Sequence, residues 1–147
     1  GGGGADLVHA GDGDDIFVAG DTGFGRFDGG GGTDLVSIGG AGRTFDLTGL
    51  RGDQFGGVEH IDFSGVGDNV LVIDERMAFA ATGDGNSLTG AGHSLLIDGD
   101  AGDSLNAAGD WNNTRTVTIG GNGYTVYQSA SNEAQIFVDD DIAVSAA

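Results

Sequence analysis

A nine-residue beat opens the chain and limits what it can fold into. Gly1-Gly-Gly-Gly-Ala-Asp6-Leu-Val-His9 and Ala10-Gly-Asp-Gly-Asp-Asp15-Ile-Phe-Val18 both follow G-G-x-G-x-D-x-U-x, where U is a large apolar residue and Ala10 replaces one glycine. Gly29-Gly-Gly-Gly-Thr-Asp34-Leu-Val-Ser37 is a third copy in almost the same phase. Each copy joins a Gly-rich turn ending in Asp to an apolar segment too short to bury a face alone. A unit of this kind is stable only when neighbours stack on it. Glycine supplies turn conformations that other residues resist, and Asp is short enough to aim a carboxylate back at its own turn.

Composition sharpens this. At 147 residues the chain fits one domain. With 32 Gly and no Pro it is neither collagen nor a Pro-rich linker. All but three of the 23 acids are Asp, Lys is absent, and the net charge is −18. Such a chain repels nucleic acid and anionic membranes, so no nucleic-acid partner and no membrane insertion are expected; cations are its natural counterpart. Without cysteine there is no disulfide framework and no thiolate metal site. No N-terminal signal peptide and no apolar stretch of membrane-spanning length is found. Starting within a repeat array, the chain reads as the C-terminal piece of something longer.

Three regions follow along the sequence: repeats over 1–48, degenerate repeats over 49–110 and a C-terminal cap over 111–147. Between Ala19 and Asp28 lies a stretched copy with Phe24 at the Asp place; Gly39 to Leu47 carries Thr44 there. Residues 55–63 read as one strand, with Val58, Ile61 and Phe63 apolar. Farther on, Gly65 to Val72 and Gly90 to Ile97 keep the glycine pair and the apolar segment, with Asn69 and Ser94 at the Asp place and Leu71 and Leu96 at the apolar place. Gly83 to Leu88 and Gly99 to Leu105 are looser copies. Asp74–Ala81 is the one plausible helix, capped by Asp74. Arg115–Ile119 and Tyr124–Gln128 form a β-hairpin around a Gly120–Gly123 turn, and Ala134–Val138 adds a third strand.

The repeats resemble those of RTX (repeats-in-toxin) proteins, strongly over the first third and weakly in the middle. The order Phe45-Asp-Leu-Thr48, Val58-Glu-His-Ile-Asp-Phe63, Leu96-Ile-Asp-Gly-Asp-Ala-Gly-Asp103, Trp111, Tyr124-Thr-Val-Tyr127 and Ala134-Gln-Ile-Phe-Val138 is similar to the tail of large RTX adhesins of Gram-negative bacteria. The resemblance implies an all-β chain: right-handed parallel β-roll or β-solenoid coils followed by a more antiparallel C-terminal β cap. It also implies export by the type I secretion machinery through an uncleaved C-terminal signal, and folding outside the cell as calcium binds. A cell-surface or glycan target would be reached through upstream domains. In the family each turn is followed by a short strand, two repeats make a coil, and Ca²⁺ sits between repeats n and n+2, held by the Asp of each and by turn carbonyls.

Carried over, this implies that Asp15 and Asp34 share the best site, with Gly11, Gly13, Gly30 and Gly32 shaping its turns. Asp6 would pair with the copy holding Phe24; Asp28 substitutes there, or Asp6 serves an upstream repeat. Asp12 and Asp14 add field or a ligand. Oxygen-only coordination suits Ca²⁺ over Mg²⁺ or a transition metal. Asp98, Asp100 and Asp103 read as turn residues rather than a second acidic nest, and Asp139–Asp141 as a solvated face or secretion-signal element. His9, His60 and His93 lack metal-ligand spacing, and Trp111, Tyr124 and Tyr127 read as packing of the cap. Arg51-Gly-Asp53 arises readily by chance in a chain this rich in Gly and Asp. With no Lys for a Walker loop, no Cys nucleophile, and neither G-x-S-x-G nor H-E-x-x-H, the chain reads as no enzyme. The expected role is a calcium-dependent structural and secretion module of a secreted or surface protein, most simply an adhesin. The alternatives are the carrier module of a secreted protease, lipase or epimerase, or a calcium-assembled surface-layer or matrix protein.

Overall fold

The computed structural model of the chain describes residues 5–20, 23, 25–65, 67–83 and 85–146. It is all-β, 52% strand and 5% helix, with several sheets of mixed parallel and antiparallel pairing and no closed barrel. The first half runs β1 (Leu7–Asp12), β2 (Ile16–Ala19), β3 (Arg26–Gly31), β4 (Leu35–Ile38), β5 (Thr44–Asp46), β6 (Phe55–Gly56), β7 (His60–Asp62) and β8 (Val70–Asp74). After helix α1 (Glu75–Ala81) come β9 (Ser94–Asp98), β10 (Ser104–Ala108), β11 (Trp111–Ile119), β12 (Asn122–Ser129), β13 (Gln135–Asp139) and β14 (Ala143–Ala146).

Strands from successive passes of the chain pair in parallel. One sheet orders β1-β3-β6, a second β14-β10-β8-β5, and a third β11-β12-β13-β9-β7-β4-β2. The first passes are 19 residues apart, as at Ile16 and Leu35. Later passes lengthen to 25, 26 and 34 residues as loops and the helix are inserted. Among the strands described, β13 with β12 and β12 with β11 pair antiparallel and the rest in parallel.

The repeat's apolar place explains the core. With a side-chain period of two, the residue two after the Asp faces inward and its neighbours face out. Phe17, Val36, Ile61, Ile97 and Val138 fall in register on five adjacent strands. Phe45, Leu71, Leu105 and Val144 do the same across another sheet. Val8, Phe27 and Phe55 form a third row, with the Phe17 and Phe27 rings stacked at 4.6 Å. Val8, Phe17 and Val144 are partly buried against one continuous core, and the other nine are buried in it. Leu7 and Ile16, one place after the Asp, are 77% and 72% exposed on outermost strands.

Asp74 caps α1 as expected, accepting from the Met77 amide at 2.7 Å. The hairpin also forms, but its turn is only Gly120–Gly121, both at positive φ, with Ile119 opposite Asn122. Two consecutive positive-φ residues match the twist of the flanking strands, so the ladder extends beyond the expected four-residue turn. Three readings need correction. Residues 55–63 are not one strand: the chain bends at Gly57 (φ +62°), so β6 and β7 belong to different sheets. In the copy at Gly39, Arg43 rather than Thr44 is level with Asn69, which puts Phe45 and Leu47 inward. In the copy at Gly90, Leu95 and Ile97 face the main core, while Leu96 joins a second cluster with Tyr124, Val126 and Phe137. Ser94 is therefore one place short of the repeat's Asp position.

Candidate metal centre

Two corners of the fold carry ladders of side chains that run across successive passes. At the first, between β1 and β2, the Asp15 amide donates to Asp34 Oδ1 at 2.9 Å, and the Asp34 amide donates to Glu59 Oε2 at 2.9 Å. At the second, leading into β5 and β8, the Arg43 amide donates to Asn69 Oδ1 at 3.0 Å, and the Asn69 amide to Asp103 Oδ1 at 2.8 Å. The geometry is the same and the chemistry is not. Asn69 uses its amide nitrogen to donate to the Gly67 carbonyl at 2.8 Å, and Asp103 Oδ2 accepts from the Asp100 amide at 2.9 Å. The second corner thus satisfies its own polar groups.

The first corner does not. Asp34 is fully buried, and Asp15 Oδ2 and Asp34 Oδ2 are buried with no hydrogen-bond partner. Buried carboxylate oxygens without donors are costly unless a cation or a proton reaches them. Burial raises the Asp34 carboxyl first; the Asp15 amide works against it, and the charges of Asp15, Asp14 and Asp28 raise it further. Burial is also the largest cause raising Glu59, with the Asp34 charge adding to it.

The turn glycines pack closely. Gly11 (φ +112°), Gly13 (+118°), Gly30 (+102°) and Gly32 (+139°) all occupy the glycine-favoured region. A methyl on Gly30 would lie 2.0 Å from the Gly11 carbonyl oxygen, and one on Gly32 2.3 Å from that of Gly13. The two turns therefore touch backbone to backbone, with carbonyls directed from one pass at the next. Asp14 ties them together by accepting from the Thr33 amide at 2.8 Å.

The other expected ligands lie elsewhere. Asp28 sits on β3 opposite His9 and pairs with His9 (3.2 Å) and Arg26 (3.0 Å), away from the turn of Asp6. Asp6 is half-buried, and its main-chain carbonyl accepts from the Gly25 and Arg26 amides. Asp12 does stay at the first corner, in the turn between Gly11 and Gly13 and opposite Gly31, with its Oδ1 3.5 Å from where a methyl on Gly31 would lie. Phe24 lies outside the described residues. Among these, no group of three His, Cys, Asp or Glu side chains able to hold a metal ion forms. A cation at the first corner would take two carboxylates plus turn carbonyls, a donor set that fits a hard divalent ion. Glu59 follows no G-G-x-G, so the repeat pattern does not mark it; its one signal in the sequence is a lone Glu before an apolar strand start.

A second acidic cluster closes around Tyr124. Asp62, Ser64, Asp98, Asn122 and Asp139–Asp141 border a cleft of about 410 Å³. Here the carboxylates have partners: Asp98 takes His60 Nε2 at 2.6 Å and the Tyr124 hydroxyl at 2.5 Å. Asp139 accepts from the Asp141 amide, Asp140 from Thr125 Oγ1, and Asp100 from the Gly65 amide. Burial works to raise Asp98, but the bonds from His60 and Tyr124 and the His60 charge outweigh it and the carboxyl ends lowered. Trp111 Nε1 donates to the Ala108 carbonyl, and Trp111 and Tyr127 pack on the core. His93 stacks on Phe79 at 4.2 Å. Compared with protein-family models, with curated proteins and with solved structures, the chain matches none.

Proposed function

We propose that this chain is a calcium-dependent structural module of a secreted or cell-surface bacterial RTX-like protein, built as a right-handed parallel β-roll that passes into an antiparallel cap. The observation that carries the reading is that Asp15 and Asp34, joined by the Asp15 amide, each keep a buried carboxylate oxygen without a partner where two glycine turns stack backbone to backbone. Parallel pairing at 19 residues and the inward rows of repeat apolar residues support it. The second corner supports it by contrast, because Asn69 replaces a carboxylate there and no buried oxygen is left over.

Oxygen-only donors favour Ca²⁺, which tolerates irregular six- to eight-fold shells, over Mg²⁺. At a tenfold excess of ion over Kd, each site stabilises by about 1.4 kcal/mol. Against a net stability on the order of 5–15 kcal/mol, two sites can decide whether so acidic a chain folds. In a cell low in calcium the chain would stay export-competent for type I secretion, and it would become rigid outside. Its place would be at the C-terminal end of an adhesin, and its work folding and support rather than catalysis.

The test is a Ca²⁺ titration of the EDTA-stripped chain, followed by circular dichroism and thermal melting, with Mg²⁺ as control. The β signal or the melting temperature should rise with Ca²⁺ and not with Mg²⁺. A chain equally stable in chelator and in calcium overturns the reading, and calcium-driven growth of filaments or sheets would move it to a surface-layer protein.

A further inference from the structure

We propose that the chain forms a two-fold dimer in which β11 of one copy pairs antiparallel with β11 of another, extending the seven-stranded sheet across both. The contact itself needs no ion. β11 ends that sheet, with β12 on one side and no strand of the described residues on the other. At nine residues it is longer than any other strand at a sheet edge: β1 has six, β2 and β14 four each, β5 three and β6 two. Folds protect their edges by keeping them short or charged, and a long exposed edge is a template for pairing. Asn112 to Thr116 are all exposed.

The distribution of charge favours a second copy at this edge over any other. Each copy brings −18 to a contact, so two copies approach most readily where acids are missing. Residues 111–132 are the longest acid-free run of the chain, and β11 holds one charged residue, Arg115. Its guanidinium lies 5.6 Å from the centre of the Phe137 ring, turned back over its own sheet. The shorter edges lack this freedom: Asp12 ends β1, Asp46 ends β5, and Asp14 and Asp15 precede β2.

The hairpin fixes how two such strands align. Ile119 faces Asn122 across the two-residue turn, so Ile119, Val117 and Arg115 bond to β12. The amides and carbonyls of Thr116 and Thr118 then point off the edge. The Gly123 carbonyl, opposite Thr118, turns away from β11 by the same alternation and accepts from the Asp140 amide. A two-fold axis at Val117 lets Thr116 of each copy exchange both bonds with Thr118 of the other, and sets Arg115 against Ile119 rather than against a second Arg. The bulge between Asn113 and Arg115 limits the regular stretch to 115–119, which this register uses in full. Val117 and Ile119 are half-buried at the rim of the apolar cluster of Leu96, Tyr124, Val126 and Phe137. With Val117 against Val117 of the other copy, two such clusters adjoin and their rims leave water. A self-complementary contact of this kind closes at two copies.

The test is light scattering after size exclusion, over a range of concentration, on the full chain in whichever of calcium or EDTA circular dichroism shows it folded. Failure of the calcium reading therefore leaves the test standing. The mass should rise from one chain to two and stop, and the dimer fraction should grow as salt screens the charge on each copy. Thr116→Asp should return the mass to one chain. Thr116→Pro should do the same with the fold unchanged, because an edge-facing N–H serves no bond in the single chain. As the chain has no cysteine, Val117→Cys should give a disulfide-linked dimer on mild oxidation, while Asn112→Cys, far from the axis on the same strand, should not. A single chain at every concentration, growth beyond two, or a dimer indifferent to Thr116→Asp overturns the proposal. Should both Thr116 variants fail to fold, the cysteine variants decide: linking through Val117→Cys alone supports the interface, and linking through both or neither overturns it.

Discussion

Replacing Asp34 by Asn should change stability by an amount that depends on the medium. In chelator, the native carboxylate is fully buried with one oxygen unpartnered and acidic neighbours on both sides. Asn keeps the acceptor for the Asp15 amide, and its nitrogen is a donor of the kind that Asn69 uses to satisfy a carbonyl of its own turn. Removing an unsatisfied buried charge is worth about 1–3 kcal/mol, or roughly 2–10 °C in melting temperature for a chain this size. In calcium the same change deletes an ion site worth about 1.4 kcal/mol at tenfold excess over Kd, so the variant should lose its advantage and gain less from the ion than the native chain. The pH dependence has a sign of its own. An acid raised on folding holds its proton more tightly in the native state, so its contribution is present below about pH 4 and lost as pH rises through the native value. In chelator, native stability should therefore fall between weakly acidic and neutral pH, with a smaller fall in Asp34→Asn. Differential scanning calorimetry of both chains, in EDTA and in excess calcium across this pH range, reads all three effects. Equal destabilisation of the variant in both media would refute the reasoning.

Other perturbations follow from the same geometry. Asn69→Asp should transfer the cation requirement to the second corner: it removes the donor to Gly67 and adds a carboxylate beside buried Asp103, costing about 1–3 kcal/mol in chelator, with partial recovery in calcium on thermal melting. Gly30→Ala places a methyl 2.0 Å from the Gly11 oxygen at φ +102°, so urea unfolding should show a loss above about 3 kcal/mol that calcium does not restore. Gly42→Ala, at φ +66° with open space around it, should cost only about 1 kcal/mol. Tyr124→Phe removes the hydroxyl that helps hold Asp98 below its ordinary range. A lowered acid contributes stability above its unfolded pKa and loses it as pH falls through the native value. The variant should therefore lose about 0.5–2 kcal/mol at neutral pH, measured by urea unfolding, with a smaller difference in strong acid.

What could be read from the sequence follows from how local each cause is. The turn glycines and Asp15 and Asp34 were legible because a turn, its carboxylate and its inward apolar residue are fixed within nine residues, and Val8, Phe17 and Val36 face inward accordingly. The α1 cap at Asp74 and the hairpin at Gly120–Gly121 were legible for the same reason. Positions set by register between distant passes were not. Arg43 displaces Thr44, and Leu95 displaces Ser94, because a one-residue slip in a degenerate turn moves each side chain to the opposite face. Glu59 takes its meaning from Asp34, 25 residues earlier, and nothing near it in sequence marks that pairing. The partnered state of Asp98 likewise depends on His60 and Tyr124, which three separate strands bring together.

The most direct test of the central claim is an anomalous difference map from crystals of the chain grown with calcium, collected at a wavelength where calcium scatters anomalously. The account predicts a peak between the Asp15 and Asp34 carboxylates, bounded by the carbonyls of the Gly11–Gly13 and Gly30–Gly32 turns. A map without density there, with both carboxylates bonded only to protein and water, would contradict it.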